Sequence, residues 1–330
     1  MTHVKAHAGR SAQHGAAILT AMLTVVLVAS LAASTLWLQW RGIEVEAAER
    51  NRTQAAWVLT GALDWARLIL REDARKGGAD HLAEPWAVPL EQARLSTFLA
   101  ADRDASSEDV TADAFLSGQI VDLQSRLNVR NLVQGGKLNE PSRAAFARLF
   151  ELLDLPEPEL ELLVDNLRLS QIQDSTADNP SRRSLPLAPQ EFDQLTWVGL
   201  SAPTLARLRP YVTLLPALTP VNLNTAPVEV VYACVAAFDM ADATRLVRAR
   251  SLSHLSSIED AAKASGNLAA KFDSAQHSVM TRFFEVRGTL QLDQTTVQEQ
   301  SVVQRDPGDA MKVTTWSRRR SAALPGAPLQ

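Results

Sequence analysis

From Ala16 to Trp40 the chain reads AAILTAMLTVVLVASLAASTLWLQW, without one Asp, Glu, Lys or Arg. An α-helix needs about 20 consecutive apolar residues to cross a hydrocarbon core roughly 30 Å thick. This run is long enough, so it constrains where the rest of the chain can live. The leader before it carries Lys5 and Arg10 and no acid, and the first acid is Glu44. Basic residues stay on the cytoplasmic side of a membrane. The expected topology keeps the leader inside and puts everything after Trp40 outside.

Three readings of this start compete. An ordinary secretory signal would be cut after small residues around Ala29 to Ala33. Its apolar core would then exceed the usual length of about 7–15 residues, and no clean A-x-A site stands there. A plain uncleaved anchor is the second reading. The third is a type IV prepilin-like signal, cut between Gly15 and Ala16, before the apolar run rather than after it. The glycine directly ahead of the run, and the helix that follows it, favour the third.

Composition narrows the rest. The chain has 330 residues and a formal net charge of −4. That length allows one or two folded domains beyond the anchor. The negative charge argues against a main task in nucleic-acid binding. With Cys234 the only cysteine, no intrachain disulfide can form. Its apolar setting, VVYACVAAF, reads as that of a buried small hydrophobe.

After Trp40 the pattern turns amphipathic and stays helical until Gly77-Gly78. Ala55, Leu59, Ala62, Ala66 and Ile69 recur at helical spacing, while Arg50, Arg52, Asp64, Arg67 and Arg71 occupy other faces. One helix over about 16–76 is expected, on the order of 90 Å long. Two helices meeting near Arg41-Gly42 is the alternative. Residues 77–114 read as loop. A strand pair is expected at Leu116–Leu123 and Leu127–Val133, closed by Gly135-Gly136. Helices dominate from Glu140 to Phe272, with fragments at 190–195 and 201–209. Thr225 is expected to cap the next helix, with Pro227 in its first turn. Asp239 or Asp242 opens the following one. From His277 onward FFEVRGTLQL, TTVQEQSVVQR and AMKVTTWSR alternate like antiparallel strands. The tail 321–330 reads as disordered.

Four stretches carry a family resemblance. They are HG-AAILTAMLTVVLVAS continuing to DWARLILRED, then DLQSRLNVRNLV, then LRPYVTLLPALTPVNLNTAPVEVV, and finally RFFEVRGTLQL with the last strands. Together they resemble the minor pseudopilin K family of the type II secretion system, the third stretch most specifically. The resemblance implies an α+β pseudopilin fold, a long N-terminal helix on an antiparallel sheet, with an all-α insertion of SAM-like, helix-hairpin-helix units. It divides the chain into a leader (1–15), the helix (16–76), a first strand region (77–136), the insertion (137–275), C-terminal strands (276–320) and a tail (321–330). It also implies cleavage after Gly15 by a prepilin peptidase and methylation of the new amine of Ala16. The mature protein would sit in the inner membrane with its globular part in the periplasm. There it would join the I and J minor pseudopilins at the tip of a short filament that helps push folded proteins out.

Two details bear on that role. Most pilins place a Glu at the fifth mature position, where it neutralises a neighbour's terminal amine within an apolar bundle. Here that position is Thr20. A tip subunit has no neighbour above it, and so no amine to pair. Small residues favour helix contacts in membranes, which makes Ala17, Ala21, Ala29, Ala32 and Ala33 candidate contact points, although each also serves as lipid-facing filler. Many family members carry an acid-rich segment that could ligate calcium. In LLVDNLRLSQIQDSTADNPSRRS the acids Asp165, Asp174 and Asp178 are scattered, so a solvated loop is the expectation, with no cofactor.

Other classes fare worse. A membrane-anchored periplasmic DNA receptor would use a helix-hairpin-helix turn of the Gly-x-Gly kind. The turn here, AAFDM, has no glycine and adds an acid. Arg245, Arg248 and Arg250 read as a solvated, salt-bridged face. No H-E-x-x-H, G-x-S-x-G or phosphate-loop motif appears, and His81, His254 and His277 share no ligand spacing. The expectation is a non-enzymatic assembly subunit. N-terminal sequencing of the mature protein should begin at Ala16; a start near Ser34 would instead indicate ordinary signal cleavage.

Overall fold

The computed structural model describes residues 14–95, 114–171, 186–292, 295–306, 308–309 and 311–323. The chain divides into two compact units, Met1–Ala56 and Trp57–Gln330. Helix α1 is a single α-helix over His14–Lys76, with no break near Gly42. It stops where the sequence leads one to expect, because Gly77 and Gly78 take positive φ values of 67° and 113°. Glycine adopts that left-handed backbone without strain. In the first unit every side chain from Ala16 to Ala47 is exposed.

The second unit is built around a five-stranded antiparallel sheet. Its strands are β1 (Leu90–Arg94), β2 (Ala114–Asp122), β3 (Phe283–Leu292), β4 (Thr295–Arg305) and β5 (Val313–Ala323). They lie side by side in that order. β2 and β3 pair from Ala114↔Leu292 to Asp122↔Phe284. Everything between Asp122 and Phe283 is therefore inserted between two neighbouring strands, as expected of strands that flank a helical block.

Alternation along the strands assigns the sheet its two faces. One face receives α1. Leu63, Ala66 and Leu70 of the helix share a core with Trp86, Phe284, Val286, Val303 and Val313. Gly288 continues that row, and a Cβ there would stand 3.1 Å from Leu59 Cδ2. The opposite face carries Phe283, packed with Leu123 and Leu215. Register at the last strand is fixed by charge as well: the buried carboxylate of Glu299 on β4 accepts from both Arg318 and Arg320 on β5.

The insertion has its own core. Helices α2 (Glu140–Leu152), α3 (Glu157–Ser170), α4 (Ala202–Leu208), α5 (Val228–Cys234), α6 (Met240–Leu252) and α7 (Ile258–Ser265) bury Phe146, Leu149, Leu163, Val230, Val231 and Leu246 together. Side chains cap some of these helices. Asn139 accepts from Ser142 N at 3.1 Å ahead of α2. Asp239 and Asp242 form a reciprocal capping box at α6.

Four expectations need correction. The strand expected at 127–133 is mostly 3₁₀ helix. Asp122 accepts from Gln124 N and Asn128 from Arg130 N, so side chains draw the backbone into short turns rather than a ladder. At its start Leu127–Asn128 pairs, in parallel, with Val212–Thr213. Gly135-Gly136 closes a different, tiny hairpin between Val133–Gln134 and Lys137–Leu138. The loop expected at 77–114 contains β1, whose alternation is too weak to read. Thr225 caps nothing: Pro227 is the N-cap of α5, without a side-chain cap bond, and the threonine is used elsewhere. Finally, Ser321–Ala323 belong to β5 rather than to a tail, because they pair with Thr296–Gln298. Residues 324–330 lie outside the described residues.

Phe284 is fully buried, edge-on to Trp86 at 5.2 Å between ring centres. Phe284→Ala should cost about 3–5 kcal/mol, read as a lowered urea midpoint by tryptophan fluorescence.

Candidate functional site

Two arrangements stand out, one in each unit. In the first unit the exposed apolar helix carries its polar groups self-satisfied. Thr20 donates to the carbonyls of Ala16 and Ala17 at 3.1 and 2.9 Å. Thr24, Ser30, Ser34 and Thr35 each donate to a carbonyl three residues back. Hydroxyls that bond within their own helix leave no unpaired donor for a hydrocarbon environment. Gly15 and Ala16, the expected processing pair, fall in the first turn of α1. Thr20 lies one turn further on.

In the second unit a buried polar knot ties the insertion to the sheet. Asp122, the last residue of β2, is 2% exposed. Its Oδ1 accepts from Gln124 N at 2.7 Å and from the Thr281 hydroxyl at 2.6 Å. Its Oδ2 accepts from Asn222 Nδ2 at 2.9 Å and from the Thr225 hydroxyl at 2.6 Å. Asn222 and Thr225 come from the insertion, Thr281 from the segment entering β3. Burial pushes the Asp122 carboxyl up to about 6, although the hydroxyls of Thr225 and Thr281 and the other donors pull it back. Asn224 extends the knot by exchanging two 2.9 Å bonds with the backbone of Leu255. This explains the N-L-N-T run before Pro227. Sequence reasoning missed it by treating Thr225 as a cap. Two asparagines and a threonine interleaved with apolar residues were the available signal.

A second polar cluster adjoins it. The Arg305 guanidinium, 7% exposed, pairs with Asp73 of α1 and with Asp80. Asp80 Oδ2 also accepts from Thr281 N at 2.7 Å. Burial raises the Asp80 carboxyl while Arg305 pulls it down. Glu84 accepts from Trp86 Nε1 at 2.7 Å and from His81 N at 2.8 Å. Burial, with Asp73 as neighbour, pushes it up to about 7. Asp73, Asp80 and Glu84 offer oxygens within 4.8 Å of one another. Arg305 already supplies the positive charge there, so the group reads as an internal ion cluster. Of the acids singled out for calcium, Asp165 lies exposed on α3, and Asp174 and Asp178 fall outside the described residues.

The remaining candidates have structural employment. His81 and His254 come together, stacked at 4.0 Å. Burial lowers His277, which faces the Cys234 carbonyl. Burial pushes the Cys234 thiol up to about 12, too high for a nucleophile. Arg250 donates to the carbonyls of Leu223 and Ala226, and Arg245 pairs with Asp242. Arg250 is thus turned inward rather than solvated as expected, whereas Arg245 keeps the exposed salt bridge expected of it.

Comparison with known proteins falls on these same segments. Two models described as type II secretion system (T2SS), protein K, match residues 125–217 and 221–280. The second match begins one residue before the polar knot's Asn222 and ends one residue before its Thr281. Over these segments the chain is similar to the type II secretion system protein K family. A protein K from Pseudomonas aeruginosa is 29% identical over 296 residues, which is 84% of each chain. The fold is similar to a chain of the GspK-GspI-GspJ complex from enterotoxigenic Escherichia coli. That match has a TM-score of 0.62 at 17% identity and covers 84% of this chain and 99% of the other.

The protein K head should show a distinct pH response at Asp122. A proton binds this carboxyl more tightly in the folded head than in the unfolded chain, where aspartate titrates near 3.9. Protonation therefore adds stability as pH falls through about 6 toward 4, and adds none at neutral pH. Between pH 7 and 4.5, wild type should gain about 2 kcal/mol over Asp122→Asn, measured by urea unfolding of both proteins at each pH.

Proposed function

We propose that this protein is a minor pseudopilin of a type II secretion system, held at the tip of the periplasmic filament that helps export folded proteins. The observation that carries the reading is an exposed, charge-free helix joined to a protein K head. The helix suits a bilayer or a bundle of similar helices, where apolar surface and small residues pack. The head stays in the periplasm, and the chain remains in the inner membrane until it is assembled.

In this reading a prepilin peptidase cuts between Gly15 and Ala16 and methylates the new terminus. Thr20 then occupies the fifth mature position. With its hydroxyl satisfied by its own helix, it offers no anion to a neighbour's terminal amine. A subunit with nothing above it needs none. The inserted helical block adds bulk to the head, which suits a terminal position. The solved relative is a complex with GspI and GspJ. The corresponding I-type and J-type minor pseudopilins are the partners we assign here. We read α5 and α6 as a helix-hairpin-helix unit used for packing, since Arg245 and Arg250 are spent on internal bonds. The role requires no catalysis and no cofactor.

The test is a bulky substitution at the processing junction. Gly15→Leu should leave the precursor uncut on a gel and abolish secretion in a complementation assay. Normal processing with normal secretion would overturn the proposal.

A further inference from the structure

The face of the sheet opposite α1 is not wholly covered by the insertion. A cleft of about 300 Å³ remains there, between β3 to β5 and the segments around Arg126, Glu191 and Leu214. Five arginines and three acids line it. The acids are all matched. Glu285 is held by Arg287 at 2.8 Å. Asp193 pairs with Arg209. Glu191 pairs with Arg319 at 2.9 Å. That leaves Arg126 and Arg130. Among the described residues no carboxylate pairs with either, and Arg130 Nε reaches only the Leu215 carbonyl at 3.4 Å.

Arg126 is in an unfavourable place for a lone cation. It is largely buried, and burial pulls its pKa down. Arg287 and Arg209 act on it in the same direction, against Glu285 and Asp122. A half-buried guanidinium without a partner gains from an arriving anion more than a solvated one does. The surroundings also select the kind of anion. The cleft's own three acids are already neutralised by its arginines. Its volume suits a few side chains rather than a nucleic-acid strand. Its floor is apolar, with Leu123 and Leu215 buried and Val302 beside them. Trp316 stands 61% exposed at the rim.

We propose that this cleft is a docking site for an acidic segment of a protein partner, whose carboxylates pair with Arg126 and Arg130 while an adjacent apolar side chain rests on the Leu215 floor. The inference goes beyond the filament role and stands independently of it, since any protein bearing such a segment fits.

The experiment uses the full chain in neutral detergent micelles and fluorescence anisotropy. The probe is a fluorescein-labelled peptide of alternating Glu and Leu, compared with its Gln-and-Leu counterpart at physiological ionic strength. The acidic peptide should bind at least about tenfold more tightly, the worth of one charge-assisted hydrogen bond. The double variant Arg126→Gln/Arg130→Gln should lose that preference. Arg130→Gln alone should weaken it several-fold with the thermal melt unchanged. Arg248→Gln, an exposed arginine elsewhere, should leave it intact. Equal binding of the two peptides would overturn the proposal, as would loss with Arg248→Gln or indifference to Arg130→Gln. Inorganic phosphate or a single-stranded oligonucleotide competing as well as the acidic peptide would overturn it too, by assigning the cleft to another class of anion.

Discussion

The head depends on one buried carboxylate. The chain leaves the sheet at the end of β2, builds a whole helical domain, and must return to the strand position beside the one it left. Asp122 stands at the exit, Thr281 just ahead of the re-entry, and Asn222 and Thr225 belong to the domain between them. All three bond the same carboxylate. Loop-closure entropy grows only slowly with length, so a long insertion is tolerable, but its orientation has to be set by contacts. A carboxylate that accepts four hydrogen bonds meets that need. Desolvating the charge costs energy, and the four donors offset it.

The sheet separates two environments. On one face the helix end buries leucines against aromatic and branched side chains. Asp73 of that helix reaches Arg305 at the end of β4, so the same strand that packs the helix also anchors it by charge. On the other face packing is incomplete and arginines are plentiful. At Gly288, on the helix side, a Cβ would stand 3.1 Å from Leu59 Cδ2. The open face keeps its volume, and volume with uncommitted charge is what a partner can use.

The two units are stabilised by different means. The first has no buried side chain from Ala16 to Ala47. Its order comes from backbone hydrogen bonds and from threonine and serine hydroxyls turned back on the helix. The second unit, from Trp57 on, is an ordinary water-soluble core. The same α1 serves both because helical periodicity changes along it, from apolar all round to one buried stripe at Leu59, Leu63, Ala66 and Leu70.

Much of this was legible in the residues. The membrane-length run, the helix stop at Gly77, two of the last three strands, and the Asp239 cap all follow from local chemistry, in which neighbours along the chain decide. The resemblance to the protein K family was legible too, because its most specific stretch is the one that builds the knot. The tertiary structure alone decided what that stretch is for. Thr225 has the sequence of a helix cap and the job of a ligand to Asp122, a residue far away along the chain. β1 could not be read because an edge strand owes its form to its neighbour. The pairing of every acid in the cleft, and the isolation of Arg126, likewise depend on which segments meet in space. Local propensity is written in a window of a few residues; partnership between distant side chains is written only in the fold.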